Sequence, residues 1–374
     1  MAAKTKSYES QKRMGQFFVN LVLVLIALIF FVPIFGIFVT SFRQSETIFN
    51  SGWWEFFPHR SWVEVMELKL PEDQQTSGVM TFTMDDGTEF TGDYQSLKNG
   101  VTVGSYRGTY HGAKRTRTLK VMEKRWVGFD LNLTLENYQN VLSGKAIQYK
   151  GADGSLLTRN GSDLSNSFLN SLTVTIPATI IPILIAAFAA YGFAWLNFRG
   201  RKLMFTVVVA LLVVPLQIAI VPVLQDLTAV NLTGKFLGIW LSHTGFGLPL
   251  AIYLLFNYIS TIPRDILESA FIDGASNFTV FTQLILPLSI PSIASFTIFQ
   301  FLWVWNDYLV ALVTLGGGKN EVVTQTLANM VGTKGNDWHL LTSGAFISMV
   351  IPMIVFLSLQ RYFVRGMMAG SVKG

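Results

Sequence analysis

The segment Ser260–Pro291 reads STIPRDILESAFIDGASNFTVFTQLILPLSIP. Its punctuation spells a short helix, a sharp turn and a second helix. Pro263 can sit in the first turn of a helix without losing a hydrogen bond, so a helix starts there. Asp265 and Glu268 lie near that start, where acidic side chains suit the helix dipole. Ile266, Leu267, Ala270 and Phe271 recur at helical spacing and form one apolar face. Gly274 can take the left-handed conformation that ends a helix. Ser276 or Asn277 can cap the next helix, which turns continuously apolar at Pro287. A charged helix–turn–helix joined to a long apolar run describes a rigid element at the base of a membrane bundle. Such an element can dock into a groove of a soluble partner.

Working outward, the 374 residues are 51% hydrophobic and 14% charged, and mean hydropathy is +0.43. Soluble domains carry about a quarter charged residues, so the composition favours a membrane protein. Cysteine is absent, which excludes disulfides, thiolate metal sites and a cysteine nucleophile. Apolar runs able to cross a hydrocarbon core of about 30 Å fall at Phe17–Phe42, Asn170–Trp195, Leu203–Leu224, Phe236–Tyr258, Leu286–Val313 and Thr342–Phe363. The first is too long for a signal peptide and no small-residue cleavage site follows it, so it reads as an uncleaved helix. Prolines in or beside these runs, among them Pro33, Pro177, Pro182, Pro215 and Pro352, are compatible with spans because neighbouring helices can satisfy the freed backbone groups. Six spans place Lys4, Lys6, Lys12 and Arg13, then Arg199, Arg201 and Lys202, then Arg361, Arg365 and Lys373 on one face. That face is cytoplasmic by the positive-inside rule, and both termini and the Arg264 segment lie there. The net charge of +5 is then read as anchorage to anionic lipid rather than as nucleic-acid binding.

The expected organisation is residues 1–43 as a cytoplasmic N-terminus and first helix, 44–165 as an outer loop, 166–363 as helices two to six with the loop 260–286, and 364–374 as a cytoplasmic tail. Within the outer loop, Val63–Leu70, Val79–Met84, the turn Asp85-Asp86-Gly87, Val101–Val103 and Leu119–Met122 suggest a small β domain at about 60–128. Lys114, Arg115, Arg117 and Lys120 there fit either an anionic partner or a solvated face. Trp53, Trp54, Phe56 and Phe57 fit an interfacial aromatic belt.

Glu268-Ser269-Ala270-x-x-Asp273-Gly274-Ala275, followed by Phe281 and Ile285-Leu286-Pro287, resembles the EAA motif of binding-protein-dependent ABC importer permeases. Ser269 stands where that family often has alanine. Thr134–Tyr138, Asn170–Leu172 and Trp305-Asn306-Asp307 are similar to segments of maltose-type permeases, and Gly366–Gly374 resembles the ending of the MalG-like class. Ser242–Tyr253 most resembles the α-glucoside branch of that class. The resemblance runs from about Leu133 to the C-terminus. It does not cover the β insertion.

This resemblance implies an all-α membrane protein of the type I ABC importer fold, with six transmembrane helices, in a bacterial inner membrane. It implies a second, MalF-like permease, two MalK-like ATPase subunits that hold ATP and Mg, and an extracytoplasmic sugar-binding protein. The chain itself would bind no cofactor or metal and would have no catalytic residue. Arg264, Glu268, Ser269, Ala270, Asp273, Gly274, Ala275, Leu286 and Pro287 would couple to the ATPase. Gly370, Ser371, Val372, Lys373 and Gly374 would enter between the ATPase subunits; a frayed terminus is the plain alternative. The cargo implied is an α-glucoside such as maltose, sucrose or trehalose, or a glucosylated compatible solute such as glucosylglycerol. In such importers the sugar contacts lie chiefly on the other permease.

Asn306 and Asp307 are candidates for the translocation pathway, since an intramembrane acid marks function by default. The plain alternative is a helix-end carboxylate bonded to a neighbour. Thr314–Thr342 reads as a polar, glycine-bearing outer loop, either contacting the binding protein or merely connecting spans. Gly316–Lys319 lacks the full phosphate-loop pattern, and the four histidines show no metal-binding spacing. An ion-coupled carrier would need buried ionisable pairs in paired broken helices, and a membrane enzyme would need a convergent polar cluster at one depth. Neither pattern is evident.

Overall fold

The computed structural model describes residues 2–48, 51–71, 74, 78–110, 118–144, 147–150, 156–159, 163–332 and 338–369. The chain forms two units, one from Met1–Val39 and Glu46–Thr134, the other from Thr40–Ser45 and Leu135–Gly374.

The first unit opens with α1 (Ala2–Ser41), followed by the single turn α2 (Ser45–Ile48). Arg13–Ser41 of α1 is apolar enough to span a bilayer and almost bare of protein contacts. Alternating residues then build an antiparallel sheet, because every second side chain points to one face. Its strands are β1 (His59–Lys69), β4 (Val101–Val103), β5 (Tyr106–Tyr110) and β6 (Thr118–Val127), in the order β1-β6-β5-β4. A hairpin of β2 (Met80–Thr83) and β3 (Glu89–Gly92) and a helix α3 (Tyr94–Asn99) cover it. Asp93 caps α3 by accepting from the Ser96 amide at 2.8 Å. Met80, Phe82, Phe90, Leu97, Tyr110, Leu119 and Val121 are fully buried, so the insertion has its own core. A register shift at Glu64/Met66 marks a bulge in β1.

The second unit contains α4 (Glu136–Ser143), the hairpin β7 (Ile147–Lys150) and β8 (Leu156–Arg159), and α5 (Leu164–Trp195). Next come α6 (Arg201–Ala210), α7 (Leu216–Ala229), α8 (Phe236–Ile259), α9 (Arg264–Ile272), α10 (Asn277–Val280) and α11 (Leu286–Leu288). The chain closes with α12 (Ile290–Trp305), α13 (Leu309–Leu315), α14 (Val323–Gly332) and α15 (Trp338–Ala369). Ala186, Ala187 and Ala190 of α5 pack in one buried cluster with Ala251, Ile252 and Leu255 of α8. Small side chains let two helices approach closely where lipid supplies no hydrophobic driving force.

Four of the six apolar runs are single helices, and two are bent pairs. Arg201–Val213 and Leu216–Ala229 meet at 106°, and Asn277–Leu288 and Ile290–Trp305 at 70°. The apolar runs expected to span at Leu203–Leu224 and Leu286–Val313 thus each contain a break. At the first break Val214 is extended, with ψ 117°, because the residue before a proline is pushed out of the helical region. At the second, Ser289 holds φ −88° and ψ 1° between a π-helical turn at Phe281–Ile285 and Pro291. The fifth run also ends early: α12 stops at Trp305, and Asn306–Tyr308 separate it from α13.

Three prolines inside the long helices free carbonyls that find a side-chain donor elsewhere. Pro177 cannot donate to the Thr173 carbonyl four residues back, and the Trp240 indole donates to it instead at 2.9 Å. Pro182 likewise frees the Ala178 carbonyl, which accepts from Gln300 Nε2 at 3.1 Å. In α15, Pro352 frees the Ser348 carbonyl, and the Trp305 indole donates to it at 3.1 Å.

Candidate functional site

The loop at Ser260–Pro291 is held by its own backbone. Pro263 stands before α9 with φ −59° and ψ 136°, and Asp273 ends the helix. Gly274 has φ +84°, a conformation that costs any residue with a Cβ. Its amide donates to the Phe271 carbonyl at 3.0 Å, and the Ala275 amide donates to the Ala270 carbonyl at 3.0 Å. These two bonds are the Schellman pattern, which satisfies the last carbonyls of a helix while reversing the chain. Ser276, rather than Asn277, caps the following helix: its hydroxyl accepts from the Thr279 amide at 3.1 Å.

Side chains then fix this element to the bundle. Leu267 is 2% exposed and belongs to the same buried cluster as Ile259, Val280, Phe281 and Ile285. Phe281 stacks on Phe188 of α5 at 4.2 Å. The Tyr191 hydroxyl donates to Asn277 Oδ1 at 3.2 Å, and the Trp195 indole donates to the Ile259 carbonyl at 3.3 Å. The single apolar face expected for α9 divides in two. Leu267 points inward and Ala270 is half-buried, whereas Ile266 and Phe271 face out, joined by Ile272 (85% exposed) and Phe278 (66% exposed). Arg264 Nε reaches Glu268 Oε1 at 2.7 Å with both side chains exposed, a pair that adds little stability. Ser269 and Asp273 are also exposed, Ala275 and Leu286 half-buried, and Pro287 exposed. Arg264–Ala275 thus share one surface-lying helix and turn, while Leu286 and Pro287 lie at the start of α11. The tail residues Gly370–Gly374 lie outside the described residues.

Asn306 and Asp307 sit in the break after α12. Asn306 is exposed and donates to the Leu302 carbonyl at 2.7 Å. Asp307 is half-buried, with its side chain 8% exposed, and caps α13, accepting from the Ala311 amide at 3.0 Å and the Val310 amide at 3.4 Å. Its Oδ2 lies 3.7 Å from Nε2 of His243, which is wholly buried. Neither residue lines the cavity of about 550 Å³ at the bend between α6 and α7, whose polar lining is Asp226, Ser242 and Gln300.

Among the described residues of 314–342, much of the segment is not an open loop. Val323 and Met330 of α14 are buried together with Leu164 and Leu340. The Val323 amide donates to Ser171 Oγ at 2.9 Å, and Asn170 Nδ2 donates to the carbonyls of Lys319 and Glu321 at 2.9 and 3.0 Å. The sequence reading also missed a clasp at the foot of the insertion. Asn137 Nδ2 donates to the carbonyls of Ser41 at 2.9 Å and Arg43 at 2.8 Å, and the Tyr138 and Ser41 hydroxyls meet at 2.6 Å. Burial raises the pKa of the Tyr138 phenol. The cue was present in Thr134–Tyr138, but nothing local names its partners.

Residues 178–369 match a family model described as "Binding-protein-dependent transport system inner membrane component". The chain is 43% identical to the alpha-glucoside transport system permease protein AglG of Rhizobium meliloti, over 95% of this chain and 97% of AglG. An alignment of that reach includes the β insertion. The chain is 59% identical to the osmoprotective compounds uptake permease protein GgtD of a Synechocystis species, over 60% of this chain and 75% of GgtD. It is 29% identical to the melibiose/raffinose/stachyose import permease protein MelC of Bacillus subtilis, over 57% of this chain and 78% of MelC. With a family match over half its length and a similar relative along nearly all of it, the chain belongs to the binding-protein-dependent inner membrane components, the permeases of ABC importers.

Proposed function

We propose that this permease links ATP hydrolysis by two partner ATPase subunits to uptake of an α-glucoside, with ATP and Mg bound in those subunits. A second permease would complete the pathway, and an extracytoplasmic binding protein would deliver the sugar. Both termini and α9 face the cytoplasm in this reading, as the basic clusters at Lys4–Arg13, Arg199–Lys202 and Arg361–Lys373 favour. The observation that carries it is the division of α9 between an anchored side at Leu267 and an outward side of Ile266, Phe271 and Ile272. A rigid lever must be fixed to the bundle and must offer an apolar surface to the subunit that moves it. Arg264, Glu268, Ser269, Asp273 and Gly274 border that surface, and Gly370–Gly374 would reach the same partners. ATP-driven closure would then switch the bundle as a rigid body.

The similarity to AglG favours an α-glucoside, and the similarity to GgtD favours a second reading, a glucosylated compatible solute. ATPase activity of the assembled complex in proteoliposomes, with its binding protein, distinguishes the two. Stimulation by maltose, sucrose or trehalose supports the first, and stimulation by glucosylglycerol alone supports the second. A purified chain that brings down no ATPase overturns the coupling itself.

A further inference from the structure

The start of the insertion folds back along α1 instead of rising from its end. α1 stops at Ser41, yet Trp53 lies against Phe35 and Gly36, more than a helical turn earlier. The Trp53 and Phe35 rings are 6.1 Å apart. The Trp53 indole lies so close to Gly36 that a Cβ there would fall 2.8 Å from Nε1. Phe57 stacks on Phe35 at 5.9 Å, and Phe129, from the returning arm, meets Phe56 at 5.8 Å and Phe57 at 6.2 Å. The Asp130 amide donates to the Phe56 carbonyl at 3.2 Å, joining the two arms.

The length of α1 sets the depth of these rings. The 29-residue span Arg13–Ser41 extends about 43 Å at 1.5 Å per residue, the thickness of a bilayer with its headgroups. Phe35 and Gly36 then lie about 12–14 Å from the helix midpoint at Ala27, at the edge of a hydrocarbon core about 15 Å deep per leaflet. Rings packed at that level occupy the interface, where aromatic side chains partition favourably. The outward surface of the stem is apolar: Trp54 is 61% exposed, Phe129 56% and Leu131 74%. Just above it Arg60 lies over the exposed Trp126 ring at 6.0 Å, a cation with an apolar stem suited to the phosphate layer.

We propose that this stem is a lipid-binding collar: Trp53, Trp54, Phe57, Phe129 and Leu131 enter the interfacial layer of the outer leaflet, and the glycine notch at Gly36 holds them at that depth. The β insertion is thereby seated on phospholipid instead of swinging on a free tether. The absence of cysteine permits a direct test. Trp54→Cys, Leu131→Cys and, as a reference on β3, Glu89→Cys would each carry a nitroxide in the full chain, in nanodiscs of phosphatidylcholine and phosphatidylglycerol. The expected result is that collision with oxygen exceeds collision with a water-soluble nickel chelate by about threefold or more at 54 and 131, and that the order reverses at 89. Gly36→Leu should displace Trp53 and abolish the excess at 54, with 89 unchanged. Nickel-dominated collisions at 54 and 131 overturn the proposal. So does shielding from both reagents, which marks a protein partner, and so does an excess at 54 that survives Gly36→Leu.

Discussion

The indole N–H of Trp240 donates to the carbonyl of Thr173 at 2.9 Å, the carbonyl that Pro177 leaves without a helical donor. The cost of losing this donor therefore depends on the proline. Trp240→Phe should destabilise the protein in detergent by about 0.5–2 kcal/mol. In a Pro177→Ala background the same change should cost little, because the helix then supplies its own bond. Thermal unfolding of the four variants measures the coupling. Additive effects would mean that the indole acts by packing alone.

Gly274→Val should misdirect the turn after α9. A β-branched residue at φ +84° costs about 1–2 kcal/mol, and the Ala275–Ala270 bond is lost with it. Sugar uptake and ATPase co-purification should both fall while the apolar helices stay inserted. Gly274→Asn should be milder, since asparagine tolerates the left-handed region.

Leu267 and Ile272 occupy opposite sides of one short helix. Leu267→Ala, at a site 2% exposed, should lower stability by about 2–5 kcal/mol. Ile272→Ser, at a site 85% exposed, should leave the unfolding temperature unchanged and weaken retention of the ATPase. Equal effects on both readouts for both variants would refute the division of roles.

Asp307→Asn keeps an acceptor for the α13 amides, whereas Asp307→Leu does not. If capping is the residue's task, the first should retain most uptake and the second should lose it, along with about 1–2 kcal/mol of stability. Loss of uptake in a stably folded Asp307→Asn protein would instead assign a role to the charge.

Asn137 donates two hydrogen bonds with one amide group. Asn137→Ala and Asn137→Asp should both be destabilised by about 2 kcal/mol or more, because a carboxylate cannot donate and two carbonyls lose their partner. A stable Asn137→Asp protein, by thermal unfolding, would contradict this account of the clasp.

The helix and turn at Pro263–Ser276 were legible because their signals are local: Pro263, Gly274 and Ser276 each act within four residues of themselves. The tolerance of Pro177, Pro182 and Pro352 was legible as a rule. The donors that make it possible were not, since Trp240, Gln300 and Trp305 lie 67, 122 and 43 residues from the carbonyls they serve. Hydropathy also hid the break at Pro215, because an average over a window records apolarity and not direction. In the 314–342 segment, the glycines and amides around Gly316–Asn320 masked a helix whose Val323, Leu327 and Met330 recur at helical spacing.

The Asn137 clasp has a further consequence, for what the chain can accommodate. It pins residues 41–43 to the segment at 137, so whatever is spliced between them starts and finishes at one fixed point. Closing a loop of about ninety residues there instead of ten costs only roughly 2 kcal/mol of chain entropy. Asn137 makes its bonds to backbone carbonyls that belong to the permease unit, not to the insert. The position is in effect a graft site, where a whole folded module can be gained, exchanged or discarded while the permease unit keeps its own geometry.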